Sequence, residues 1–151
     1  MATSTPTLSE LAGPSLRMGA MLAALIAVAH WSGVTAMTAP FSATCALLVL
    51  LPRAPFSTPR TVFVAHLICV GVGVVCVSLP LASPMIVLLA AWVSIMLMAK
   101  LRVVHAPAVA HAVILSLGTQ DVKTYALCAI ATASGLALYS LAAQRRMPWS
   151  N

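Results

Sequence analysis

The chain has 151 residues, of which 62% are hydrophobic and only 7% charged, and its mean hydropathy is +1.05. A water-soluble domain carries roughly 25% charged residues, so the composition excludes one and specifies an integral membrane protein. Eight basic residues stand against two acids, Glu10 and Asp121, for a net charge of +6. The basic residues sit singly or in pairs at the ends of apolar runs, which is how topology is signalled and not how a nucleic-acid surface is built.

Residues 1–16 are rich in Ser, Thr and Pro with one acid and no base, and are expected to form a disordered cytoplasmic tail. Four apolar runs follow, 18–36, 61–79, 81–99 and 122–142, each of 19 to 21 residues and therefore long enough for a hydrocarbon core of about 30 Å. The first stands behind Arg17 and is too long for the apolar core of a secretory signal, so it is read as a true span. Residues 143–151 form a second cytoplasmic tail.

Between the spans lie two shorter apolar stretches, TAPFSATCALLVLL (38–51) and HAPAVAHAVILSL (105–117), which read as copies of one another. An offset of 67 residues sets Ala39 on Ala106, Pro40 on Pro107 and Ala43 on Ala110. About 12 helical residues reach roughly 18 Å, too little to span alone. Pro40 and Pro107 are expected at the first helical position, where a missing N–H costs nothing, with extended backbone before them. Pro52 ends the first half-helix and Gly118 caps the second.

The predicted fold is all-α: four transmembrane helices plus two half-membrane helices in a single membrane domain, 17–142, made of two repeats, 17–79 and 81–142. With a cytoplasmic N-terminus and each half-helix completing a crossing, Arg17, Arg53, Arg60, Lys100, Arg102, Arg145 and Arg146 lie inside and only Lys123 outside, a strong positive-inside pattern. The two units then have inverted topology, both termini are cytoplasmic, and the half-helix starts oppose one another near mid-membrane in a cell inner (plasma) membrane.

A helix N-terminus offers unpaired N–H groups and a partial positive charge, which an anion satisfies. The expected donors are the amides of Phe41 and Ser42 in one copy and of Ala108 and Val109 in the other, with side chains of Thr38, Ser42 and Thr44 nearby. His105 aligns with Thr38 and His111 with Thr44, and both histidines are candidates for substrate contact or protonation. Arg53, Arg60 and His66 are read as a vestibule, and His30 as packing. His105 and His111 are six residues apart, about 240° around a helix, so they are not expected to share a metal. Cys45, Cys69, Cys76 and Cys128 form no CxxC pair and are read as buried. No nucleophile motif, phosphate loop or cofactor fingerprint is present, and neither an enzyme nor a cofactor is predicted.

The stretch PFSATCALLVLLPRAPFSTPRTVFVAHL (40–67), followed by HAPAVAHAVI (105–114), resembles the HPP family of small four-span membrane proteins. Pro59, Arg60, Val62, His66 and Leu67 fit its Pro-Arg-x-Val-x-x-x-His-Leu pattern, and His105 and Pro107 match the first and third positions of the naming motif. Ala106, Val109 and His111 depart from that family's usual proline, glycine and small polar residue. The resemblance implies nitrite transport, and with the half-helix pattern it predicts a channel or transporter for a small monovalent anion. The alternatives are a non-transporting assembly or regulatory subunit and an anion sensor. Small-residue pairs, Gly71 with Gly73 and Ala131 with Gly135, are expected to pack against another copy in a homo-oligomer.

Overall fold

The computed structural model describes residues 7–80 and 82–146, and every regular element among them is helical. Six α-helices run in the order α1 (Leu8–Ser32), α2 (Thr38–Leu50), α3 (Pro59–Cys76), α4 (Ser83–Lys100), α5 (Val109–Ser116) and α6 (Val122–Arg146). Four of them, α1, α3, α4 and α6, are long and apolar enough to cross a membrane. The two short stretches become α2 and α5, each entered through a 3-10 turn, Thr35–Met37 and Ala106–Ala108 respectively.

The first helix begins earlier than expected. Residues 8–16, assigned to a disordered tail, are the opening turns of α1, because Thr7 and Glu10 form a reciprocal capping box: the Thr7 amide donates to Glu10 Oε2 at 2.7 Å and the Glu10 amide donates to Thr7 Oγ1 at 3.4 Å. Residues 1–6 lie outside the described residues. The helix stops at Ser32, four residues before the expected end, because Gly33 takes a left-handed conformation with φ 71°. Thr58 caps α3 by accepting the Thr61 amide at 3.2 Å, and Pro59 occupies its first position.

The two half-helix starts differ. His105 is extended (φ −140°, ψ 93°), but the residue before Pro107 is not: Ala106 opens the 3-10 turn, Pro107 is its second residue, and α5 starts two residues later at Val109. Pro40 does not open its helix: Thr38 is already helical (φ −63°, ψ −37°) and Pro40 is the third residue of α2. The position is permitted because any amide of the first turn lacks an intrahelical acceptor. Gly118 closes the second half-helix with φ 67°, its amide donating to Leu115 O at 3.0 Å.

Among the four spans α3 is the most enclosed, packing on α4, α5 and α6, while α1 lies along α2 as α4 lies along α5. The approach of α3 to α5 is close enough that a Cβ on Gly73 would stand 2.7 Å from Leu115 Cβ and 3.1 Å from the Ala112 backbone. Gly73 therefore packs inside the chain and not against another copy, whereas Gly71, Ala131 and Gly135 stay on outer faces. Trp31, Leu88, Trp92, Leu127 and Leu138 are exposed, and face lipid in a bilayer. The loop between α2 and α3 is fastened by α6: Ser140 Oγ donates to Ser57 O at 2.5 Å and Gln144 Nε2 to Pro52 O at 3.2 Å.

Candidate functional site

Five segments bring polar side chains to one point in the centre of this bundle. Phe41 and Thr44 are three apart and share a face of α2, His66 comes from the second turn of α3, His105 precedes the 3-10 turn, His111 sits on the first turn of α5, and Tyr125 on the first turn of α6. All six are buried, with exposures between 0% and 1%. An ionisable group at such a place is costly and marks function by default.

His66 is the centre. Its ring centroid lies 5.3 Å from that of His105, 4.9 Å from that of His111 and 4.7 Å from that of Phe41. Phe41 also stacks on His111 at 4.6 Å. Phe41 meets His111 while Thr44 meets His105, so one face of α2 is shared between α5 and the segment that leads into it.

Thr44 Oγ1 is the hub of the hydrogen bonds, 3.2 Å from His66 Nε2, 3.0 Å from His105 Nε2 and 3.0 Å from its own-helix acceptor Pro40 O. On its other side His105 Nδ1 donates to Phe56 O at 2.8 Å, which anchors the ring to the fastened loop. His111 Nδ1 pairs with the Tyr125 hydroxyl at 2.8 Å. Two buried ring nitrogens, His66 Nδ1 and His111 Nε2, have no hydrogen-bond partner among the described residues. Buried polar atoms are nearly always paired, so an orphan on each of two neighbouring rings calls for an explanation in terms of a ligand or water.

The site is thus not where helix termini alone would put it. The amides of Ala108 and Val109, expected as donors, give their hydrogens to His105 O (3.1 Å) and to the carbonyls of the 3-10 turn. With α2 starting at Thr38, the amides of Phe41 and Ser42 already fall within its i to i−4 ladder. The Thr38 hydroxyl donates to Thr35 O at 2.7 Å and that of Ser42 to Ala39 O at 2.9 Å. Thr44, His105 and His111 join the cluster as site side chains, and Phe41 joins through its ring. His66, assigned to a vestibule with Arg53 and Arg60, leaves that group for the buried centre, while Arg53 and Arg60 stay at the surface. Tyr125 is the residue that sequence reading missed; its hydroxyl, one turn after Asp121 at the start of a span, was the available signal, though Tyr139 and several Ser and Thr residues of the same span offer polar groups too. Among the described residues no group of three or more His, Cys, Asp or Glu side chains is arranged to hold a metal.

Four apolar spans, two helices too short to span, and ionisable side chains enclosed between them define a multi-pass membrane protein of the all-α class. The family model described as HPP, transmembrane region, matches residues 4–147, and the chain belongs to that family. No curated protein and no solved structure matches it.

Proposed function

We propose that the protein carries a small monovalent anion, nitrite-like in size and charge, across the membrane, with the His66 and His111 rings as its mid-membrane contacts. The observation that carries this reading is the pair of unpartnered nitrogens, His66 Nδ1 and His111 Nε2, on rings 4.9 Å apart. An anion supplies an acceptor to whichever of these nitrogens carries a hydrogen, and the apolar surroundings strengthen that attraction over its value in water. Two short helices meeting at this centre fit an inverted repeat around the site, the arrangement in which a midplane site is reached alternately from each side. In this reading the membrane is the cell inner membrane with both termini cytoplasmic, and the exposed small-residue faces at Gly71 and at Ala131 with Gly135 pack against further copies.

Purified protein in liposomes should speed entry of at least one of nitrite, nitrate, formate or chloride over protein-free vesicles, and His66→Ala and His111→Ala should each remove most of that gain. Wild-type flux no greater than that of empty vesicles ends the proposal. A second reading, an anion sensor or assembly subunit, draws on the engaged amides at both half-helix starts; binding of the anion without flux would select it.

A further inference from the structure

We infer that each anion moves together with one proton, which passes from His66 to His105 through the hydroxyl of Thr44. The inference rests on the anion reading above and specifies its coupling. It follows from where hydrogens can sit. Phe56 O only accepts, so His105 Nδ1, 2.8 Å away, carries a hydrogen, and in the neutral ring Nε2 is bare. The Thr44 hydroxyl has one hydrogen and two acceptors at 3.0 Å, Pro40 O and His105 Nε2, and the relay starts with that hydrogen on His105 Nε2. Its oxygen is left as an acceptor toward His66 Nε2 at 3.2 Å, which places the hydrogen of neutral His66 on Nε2. The orphan His66 Nδ1 is therefore a bare lone pair, and a lone pair repels an anion.

A proton, delivered by the conjugate acid of the anion or by hydronium, bonds to His66 Nδ1 and turns it from acceptor into donor. The chain behind it discharges the ring. The N–H bond at His66 Nε2 breaks as an O–H bond forms at Thr44 Oγ1, and the old Thr44 O–H bond breaks as an N–H bond forms at His105 Nε2. His66 ends neutral with its hydrogen on Nδ1, facing the anion. His105 ends as the cation, held by Phe56 O on one side and Thr44 Oγ1 on the other. On release the same steps run backward. The N–H bond at His105 Nε2 breaks as an O–H bond re-forms at Thr44 Oγ1, and the O–H bond facing His66 breaks as an N–H bond re-forms at His66 Nε2. The N–H bond at His66 Nδ1 then breaks as its proton leaves with the departing anion or on water. Pro40 O, 3.0 Å from Thr44 Oγ1, is an alternative seat for the hydroxyl hydrogen between cycles.

The groups facing His66 leave the histidines as its proton partners. Thr44 and Phe41 face it from α2, His105 from the segment before the 3-10 turn, and His111 from α5 with Tyr125 of α6 behind. The only ionisable residue of α4 is Lys100 at its exposed end, Arg53 of the loop is at the surface, and Glu10 and Asp121 are exposed at helix starts.

The test is full-length protein in liposomes loaded with a pH dye, given an inward nitrite or formate gradient and corrected for protein-free vesicles. The expected wild-type result is one proton per anion and a rate unaffected by an imposed membrane potential. Thr44→Val should slow proton entry at least about tenfold, the scale on which a positioned proton-transfer group acts, and Thr44→Ser should restore it. Should Thr44→Val elute as aggregate, His105→Gln, which keeps a donor for Phe56 O but takes up no proton, must show the same loss. Wild-type anion entry that is electrogenic and proton-free overturns the inference and leaves anion transport standing, as does unchanged proton entry in a folded Thr44→Val or His105→Gln. Absence of any wild-type flux overturns both.

Discussion

At the scale of single residues, the cluster is a set of buried groups that satisfy one another's hydrogen bonds at all but two ring nitrogens. Tyr125 and His111 show what that is worth. Replacing Tyr125 by Phe keeps the ring and strands His111 Nδ1, now 2.8 Å from the phenol oxygen, in a buried site. Leaving such a group unpaired costs about 1–3 kcal/mol, so Tyr125→Phe should lower the thermal midpoint in detergent measurably. His111→Phe combined with Tyr125→Phe, which removes both partners of the bond, should cost less than Tyr125→Phe alone, because no polar group of the pair is left to satisfy. Equal losses in the two would mean that packing, not hydrogen bonding, holds the pair. The convergence of the histidines was hidden from the sequence for a definite reason. The 240° separation of His105 and His111 assumes one helix, but His105 is extended, at φ −140°, so helical phase does not apply to it. The ring on which both converge, His66, lies in a different span.

At the scale of elements, span length and apolar runs made the four long helices and two short ones legible, since 18 or more apolar residues admit few other readings. Helix ends were less legible, because caps decide them. The Thr7-x-x-Glu10 box was present in the sequence and moves the start of α1 to Leu8. Packing between elements was not legible at all: Gly71 and Gly73 look alike in sequence, yet a Cβ at Gly73 meets the α5 backbone and one at Gly71 meets nothing within 4 Å. Gly73→Ala should therefore destabilise by about 1–3 kcal/mol, the usual cost of overpacking, while Gly71→Ala should be neutral or slightly stabilising through helix propensity; paired melts in detergent compare them. The start of α6 is a third case. Asp121 Oδ2 accepts the Thr124 amide at 2.9 Å, and the Thr124 side chain and amide together hold the exposed carboxyl below its ordinary value. A depressed carboxyl strengthens the cap above the unfolded value, and that contribution is lost as pH falls through the folded value. The Thr124 amide resonance should follow this titration at acid pH and lose it in Asp121→Ala.

At the scale of the whole molecule, the distribution of basic residues is what bears on topology. The contacts of Phe41 with His111 and of Thr44 with His105 bring both short elements to one centre without setting their relative direction, because His105 precedes its helix. Direction relative to the membrane comes from charge, because basic residues are retained on the cytoplasmic side. If each half-helix completes the crossing begun by the chain before it, the loop holding Arg53 and the loop before Lys123 face opposite sides. If each instead returns to the side it entered, α1 and α3 cross with no net change between them, and the basic residues divide more evenly. Single cysteines at Ala54 and Thr119 separate these cases once Cys45, Cys69, Cys76 and Cys128 are replaced. Both positions lie in loops, Ala54 partly buried and Thr119 exposed, away from the histidine cluster. The inverted repeat requires an impermeant maleimide added outside intact cells to label Thr119→Cys and to reach Ala54→Cys only after permeabilisation. Labelling of both from one side would remove the inverted repeat, and with it the alternating access to His66 on which the transport proposal depends.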